Sequence, residues 1–192
     1  MLKNSKRLFG EILVSEGHLT KDQLEAALAA QAESGYPLGD VMLQQGWITE
    51  SDVVKALCIQ YQLPFIRPST YELRADLLQK LPPPFLYQNR LIPLDRFGDC
   101  FIVAIADVPA EPVQRELADT LGGEVFYYFA PIGDVEPVLR EQFSYTQEEL
   151  VALNQNRDAR INKPRQKAEN ALFEDLDASS WGSIFDEAEK NV

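Results

Sequence analysis

The sequence predicts an α+β protein with three parts: a four-helix tandem repeat made of two helix pairs, a small α+β subdomain with a three-stranded, mainly antiparallel sheet, and a disordered acidic tail. Two observations predict this fold class. One pattern of glycines and apolar residues occurs twice at an offset of 29 residues, and strand-like runs bounded by turn residues follow it. The predicted boundaries are 1–66 for the repeat, 67–145 for the α+β subdomain, and 146–192 for a helix extension, a basic linker and the tail.

The repeat consists of residues 8–31 and 37–60, which align without a gap. Glycine at the first stop position suits a left-handed helix cap, and the threonine three residues later suits the N-cap of the next helix. Each copy therefore predicts a short helix, a glycine stop and a longer helix. The identical pairs are Gly10/Gly39, Gly17/Gly46, Thr20/Thr49, Ala27/Ala56, Leu28/Leu57 and Gln31/Gln60.

The elements of the second subdomain are predicted from its prolines and glycines, which interrupt helices and strands, and from its runs of strand-forming residues. Residues 63–70 contain two prolines and are expected to be extended. A turn at Gly98-Asp99 between two apolar runs predicts a hairpin. The predicted helices are 74–81, 85–89, 110–121 and 134–143, and the predicted strands are 91–97, 100–106 and 124–130.

Composition excludes several classes of function. The formal net charge is −12, which disfavours binding to nucleic acids or anionic membranes. One histidine and two cysteines are too few for a Cys/His zinc site, so no metal is expected. Cys58 and Cys100 fit either one disulfide or, as the composition favours, two reduced core thiols. The sequence contains no nucleotide-binding loop, no nucleophile elbow and no HExxH motif, which predicts a protein without catalytic residues or a cofactor.

Residues 8–31 and 37–60, with the spacer AESGY, resemble the MshEN domain at the N-terminus of type II secretion and type IV pilus ATPases. That family carries two tandem 24-residue motifs of the form Arg-Leu-Gly-x-x-two apolar-x-x-Gly-two apolar-x4-Leu-x3-Leu-x2-Gln. The resemblance continues through LPFI and LIPLDRFGDCFIVAIADVP and covers about residues 5–145.

The resemblance implies a ligand as well as a fold. In some members of the family the domain binds cyclic di-GMP, each motif wrapping half of the symmetric ligand, and in others it serves for protein docking. The positions implied as ligand-binding are Arg7, Gly10, Leu13, Val14, Gly17, Leu28, Gln31, Leu38, Gly39, Leu43, Gly46, Leu57 and Gln60.

The sequence departs from the family pattern where the arginines belong. Leu8 and Pro37 occupy these positions, and Arg7 lies one residue early, which turns it by about 100° on a helix. Loss of a guanidinium contact is expected to weaken binding by about 1–3 kcal/mol. An architectural interpretation therefore stands beside the ligand one: the repeat is then only a duplicated helix pair with its apolar core.

Asp107 follows the apolar run CFIVAIA and has two interpretations. It is either a site carboxylate or, as the absence of a partner histidine favours, a turn or helix cap before Pro109.

The tail changes in composition after Tyr145. Residues 157–167 carry five basic side chains and one acid, whereas 169–192 carry seven acids and one lysine. Aromatic residues among the acids suggest a segment that docks in a groove, with Phe173, Trp181 and Phe185 as its anchors. The alternative is an acidic solubilising tail.

Together these features predict a non-catalytic regulatory or adaptor module of a bacterial secretion, pilus or polysaccharide-export system. It would dock to protein partners, with cyclic di-GMP as a regulatory ligand. The alternative is a purely structural interaction domain without a small-molecule ligand. Because no signal peptide or membrane span is present, the expected location is the cytoplasm, with recruitment to the inner face of the membrane by a partner.

Overall fold

The helical repeat folds as two copies of one helix–stop–helix unit. The computed structural model describes residues 7–155. In the first copy α1 spans Phe9–Ser15 and α2 spans Lys21–Ser34; in the second, α3 spans Leu38–Gln44 and α4 spans Glu50–Tyr61. The four predicted helices are confirmed.

The stop between the helices has the same geometry in both copies. Gly17 and Gly46 have φ angles of 76° and 68°, in the left-handed region that glycine adopts most readily. The residue after each glycine donates its amide to a carbonyl five residues earlier, His18 to Leu13 at 2.9 Å and Trp47 to Met42 at 3.1 Å. These are the bonds of a Schellman cap, so the duplication in sequence is also a duplication in structure.

Both long helices begin with a reciprocal capping box. Thr20 Oγ1 accepts from the Gln23 amide at 3.2 Å, and the Thr20 amide donates to Gln23 Oε1 at 2.9 Å. Thr49 and Asp52 form the same pair of bonds, at 3.3 and 2.9 Å. The shorter aspartate therefore closes the box as completely as the glutamine does.

The two copies pair across each other. Helix α1 packs against α4, and α2 packs against α3, so each pair takes one helix from each copy. Their common core contains buried residues from all four helices and both stops: Ile12, Leu13, Leu19, Leu24, Ala27, Val41, Met42, Ile48 and Ala56.

The α+β subdomain contains the predicted elements with small changes at their ends. A 3-10 turn at Pro68–Thr70 interrupts the segment that was expected to be extended. The further helices are α5 (Ala75–Leu78), α6 (Pro83–Gln88), α7 (Glu111–Leu121), α8 (Ile132–Gln142) and α9, residues 147–155; the strands are β1 (Leu91–Phe97), β2 (Cys100–Ile105) and β3 (Glu124–Phe129).

The sheet has the order β1-β2-β3 and is mixed. Strands β1 and β2 form the expected hairpin, with Leu91 opposite Ile105 and Phe97 opposite Cys100. Strand β3 runs parallel to β2. The predicted mainly antiparallel sheet is corrected here, because α7 connects β2 to β3 as a crossover and returns the chain in the same direction.

Helix α4 contributes to both hydrophobic cores. Ala56 belongs to the core of the repeat, whereas Val54 belongs to the core of the α+β subdomain, against which Leu57, Cys58 and Tyr61 also pack. The domain division near residue 66 remains a prediction. Among the helices of residues 7–155, none has the length and apolar character needed to span a membrane.

The left-handed glycine caps generate a stability prediction. A Cβ at Gly17 would meet nothing within 4 Å, so the cost of Gly17→Ala comes from the backbone angle alone, about 1–2 kcal/mol in the free energy of unfolding. Gly39 is the matched control: it lies inside α3, and its Cβ would make ordinary contacts at 3.7 Å, so Gly39→Ala should be neutral or stabilising. Urea denaturation measures both. Equal losses of unfolding free energy in the two variants would contradict the assignment of the cost to the left-handed cap at Gly17.

Candidate functional site

The candidate site is built on the motif residues of the repeat that keep part of their surface exposed. We call these residues, Val14, Leu28, Leu38 and Leu43, the motif surface. They are half-buried and pack against the edge of the repeat core, as do Phe9, Trp47 and Val53. Apolar side chains in this state can pack on a flat ligand or on a partner without leaving the core.

The two positions of the missing motif arginines lie next to the contact between α1 and α3. A Cβ at Gly39 would lie 3.7 Å from the ring of Phe9, so the first turns of α1 and α3 are in contact. This contact brings Leu8 and Pro37, which precede those turns, to the same end of the repeat. Leu8 is 42% exposed. Arg7 is exposed and donates to Ser15 Oγ at 2.5 Å, so its guanidinium lies along α1.

The glycine at the start of α1 serves helix packing. A Cβ at Gly10 would lie 2.5 Å from Leu24 Cδ1, so a side chain there would force the Leu24 side chain to move. Leu13 has no exposed surface and is a core residue. Both positions face the interior of the repeat in this structure, and ligand contact there stays a prediction.

The second copy is less open than the first. Gln60 is only 8% exposed, whereas its counterpart Gln31 is half-buried. Leu57 packs against the core of the α+β subdomain, whereas its counterpart Leu28 packs against the repeat core. The α+β subdomain follows α4 directly and packs on its C-terminal half. The predicted surface, shared equally by both motifs, is therefore asymmetric.

A polar contact that sequence reasoning missed joins the two copies. His18, after the first glycine stop, lies with Nδ1 3.2 Å from Oδ1 of Asp52 in the capping box of α4. Burial raises the pKa of Asp52, but the hydrogen bonds from Thr49 and the nearby His18 and Lys55 outweigh it and hold this pKa below its ordinary value of 3.8. The only signal in the sequence was a lone histidine beside a cap position, which does not specify a partner.

The lowered pKa of Asp52 predicts an acid-dependent loss of stability. A carboxylate with a lowered folded-state pKa stabilises the fold above its unfolded pKa, and this contribution disappears as pH falls through the folded-state value. Asp52→Asn should lose about 1 kcal/mol of unfolding free energy at pH 7, and the gap to the unmodified protein should narrow below pH 3.8. Urea denaturation at pH 7, 4 and 3 measures this gap. Asp22→Asn, in the first turn of α2, is the control, and the same pH dependence there would contradict the assignment to Asp52.

A second polar cluster lies in the α+β subdomain around Arg90. This side chain is 11% exposed, and its guanidinium donates to Asp107 and to Glu136, both at 3.0 Å. Arg140 also bonds Glu136, at 3.4 Å, and donates to Tyr87 Oη at 3.1 Å. The cluster ties the start of β1, the end of β2 and helix α8 together.

The contacts of this cluster show which group Asp107 pairs with. Its carboxylate pairs with a guanidinium, so the interpretation as a turn or helix cap is corrected, and a carboxylate held in this ion pair is a poor general base. Arg90 has a φ of 46° and precedes β1, and nothing in the sequence pattern distinguished it. Among residues 7–155, no cluster of three or more His, Cys, Asp and Glu side chains could hold a metal ion.

The Arg90 cluster predicts a large loss on truncation. Arg90→Met leaves Asp107 without its cation and leaves Glu136 with only Arg140 among the arginines of the cluster, so the free energy of unfolding should fall by about 2–3 kcal/mol. Arg115→Met is the control: this arginine is 73% exposed and pairs with Glu111 on the surface of α7, so its loss should cost less than about 0.5 kcal/mol. If both variants lose a similar amount of unfolding free energy in thermal or urea unfolding, the buried cluster stabilises the protein no more than the surface ion pair does, and the prediction is wrong.

The tail anchors Phe173, Trp181 and Phe185 lie outside the described residues. Cys58 and Cys100 are both free thiols and half-buried. Burial raises the pKa of the Cys58 thiol.

Comparison with known proteins identifies the architecture. The model of the MshEN domain matches residues 61–149. That match spans 89 of the 192 residues, a little under half of the chain. The structure of MshE with cdg superposes with a TM-score of 0.65 at 27% identity, covering 72% of this chain and all of that one. The resemblance inferred from the repeat is confirmed, and so is the α+β fold.

The sequence relatives are much longer proteins. The type IV pilus assembly ATPase PilB of Myxococcus xanthus is 30% identical over 98 residues, which is 51% of this chain and 17% of PilB. The bacteriophage adsorption protein B of Escherichia coli K12 is 28% identical over 141 residues, 73% of this chain and 19% of that protein. This chain therefore spans about a fifth of the length of these relatives. The alignments with MshE and with adsorption protein B are too long to fit within residues 61–192, so they extend into the helical repeat.

Proposed function

We propose that this chain is a non-catalytic regulatory module of a bacterial secretion, pilus or polysaccharide-export system, and that its helical repeat binds cyclic di-GMP at the motif surface. The observation that carries the proposal is the likeness to the structure of MshE with cdg, which extends over the whole of that chain. The module acts in the cytoplasm and reaches the inner face of the membrane through protein partners.

The geometry of the repeat supports this ligand. Cyclic di-GMP consists of two identical halves, and the two copies offer matching glycine stops and capping boxes. The half-buried side chains of the motif surface suit the flat faces of guanine. The asymmetry at Leu57 and Gln60 makes the first copy the stronger half of the site, with Gln31 as its polar end residue.

The negative charge of the chain opposes binding of the anionic cyclic di-GMP and therefore lowers the expected affinity. The ligand carries two phosphate charges, and the protein has a formal net charge of −12. Leu8 and Pro37 supply no cation at the end of the repeat where α1 and α3 meet. Binding therefore depends on apolar contact and on backbone groups, and the affinity is modest.

Restoring a motif arginine tests the proposal. Leu8 is exposed, so Leu8→Arg should fold normally and strengthen binding of cyclic di-GMP about tenfold or more, which corresponds to about 1.4 kcal/mol. Isothermal titration calorimetry measures the affinities. Ala26→Arg adds the same charge on α2, two residues from Leu24 and so about 200° around the helix from it, and should leave the affinity nearly unchanged.

Titrations of two glutamine variants and of two other nucleotides locate the site and test its specificity. Gln31→Ala should weaken binding, whereas Gln44→Ala, an exposed glutamine at the end of α3, should not. GTP and the linear dinucleotide should give no heat. If neither the unmodified chain nor Leu8→Arg binds cyclic di-GMP, the ligand part of the proposal is wrong.

A purely structural interaction domain is the second candidate function. The observation that favours it is the replacement of both motif arginines, by Leu8 and Pro37. In that case the motif surface contacts a partner protein directly, and the same titration returns no heat for any variant.

A further inference from the structure

A groove lies beside α4, away from the motif surface. Its volume is about 470 Å³, within the range of about 300–1,000 Å³ that is usual for ligand sites. Ile12 and Leu13 of α1 form its floor, and its rim includes Ile59 and Phe65, which are 39% and 51% exposed. The other lining residues are Glu16, His18, Ser51, Asp52, Val54, Lys55, Ala56 and Cys58.

Helical geometry separates the groove from the motif surface. At 100° per residue, Ser51 and Lys55 lie about 160° around α4 from Val53, which packs against the repeat core beside the motif surface. None of the four residues of the motif surface lines the groove. The two sites can be tested independently.

The charges at the rim are unusual for this protein. Residues 7–155 contain more than twice as many Asp and Glu as Lys and Arg. At the groove, Lys55 is 63% exposed, and Arg67 follows Phe65 by two residues in extended backbone, so it projects to the same side. The lining also holds two acids: Asp52, which lies 3.2 Å from His18 Nδ1 and 4.0 Å from Lys55 Nζ, and the exposed Glu16. Lys55 and Arg67 are therefore the two groups that the carboxylates of an apolar, acidic occupant would contact.

Such a segment exists in this chain beyond the described residues. Trp181, Ile184 and Phe185 have the spacing i, i+3, i+4 of a helical apolar stripe, and acids follow at positions 186, 187 and 189. The described part ends in α9, whose Leu150 and Leu153 pack in the same core as Val54 of the groove.

The length of chain allows this segment to reach the groove. The 26 residues from position 155 to position 181 span at most about 85 Å, against a radius of gyration of about 15 Å for a domain of this size. Attachment to the same chain also gives the segment a high effective concentration at the groove.

We propose that residues 181–189 dock intramolecularly in the α4 groove, with Trp181 and Phe185 against Ile59 and Phe65 and with the acids beside Lys55 and Arg67. The tail then covers the exposed apolar surface of the repeat and withholds it from protein partners until it is displaced.

Disulfide trapping in the full-length chain tests the docking, because Cys58 lines the groove and Cys100, on β2, does not. Ala188→Cys places a thiol on the same helical face as Trp181, seven residues on, without removing an anchor. Under mild oxidation with diamide it should pair within one chain with Cys58 about ten times more often than with Cys100, as measured by peptide mass mapping.

Matched variants make the result specific. Ser183→Cys lies on the opposite side of the apolar stripe and should pair with Cys58 several times less often than Ala188→Cys does. Lys55→Glu should reduce the Ala188→Cys yield several-fold, whereas Arg115→Glu should leave it unchanged. Circular dichroism and thermal melting confirm that each variant is folded.

Three outcomes would overturn the proposal. Equal pairing with Cys58 and Cys100 would show that the segment has no preferred site. Cross-links between chains alone would assign the groove to a second copy. Protection of Cys58 by an added partner protein, with no tail cross-link in its absence, would assign the groove to that partner.

Discussion

Helix α4 is the element on which the rest of the structure depends, because it belongs to two hydrophobic cores at once. One side packs with α1 in the repeat through residues such as Ala56, and another side packs on the α+β subdomain through Val54 and Leu57. A helix shared in this way cannot shift against one core without disturbing the other, since both interiors are closely packed. Glu50 adds a polar tie, because its carboxylate accepts from the Gly133 amide at the start of α8 at 3.0 Å.

This constraint determines which surfaces remain for recognition. The C-terminal half of α4 is covered by the α+β subdomain, so the second copy of the motif offers less surface than the first. The remaining sides lead to two separate places: the motif surface with the junction of α1 and α3, and the groove rimmed by Ile59 and Phe65. The proposed ligand and the proposed tail segment would therefore occupy separate places on the repeat.

Two sets of polar contacts connect separate elements of the described residues. The Arg90 cluster links β1, β2 and α8, and the pair of His18 with Asp52 links the two copies of the repeat. Arg90 pairs with the carboxylates of Asp107 and Glu136, and His18 Nδ1 contacts the carboxylate of Asp52.

The sequence by itself determined the local structure, because its determinants are local. Gly17 and Gly46 with Thr20 and Thr49 specify helix ends within five residues, and the turn at Gly98 specifies the hairpin. Only the tertiary structure decided what depends on distant contacts: the crossed pairing of α1 with α4, the parallel direction of β3, the burial of Gln60, and the pairing of Asp107 with Arg90. The identical motifs could not reveal their unequal exposure, since that depends on which helix the α+β subdomain covers.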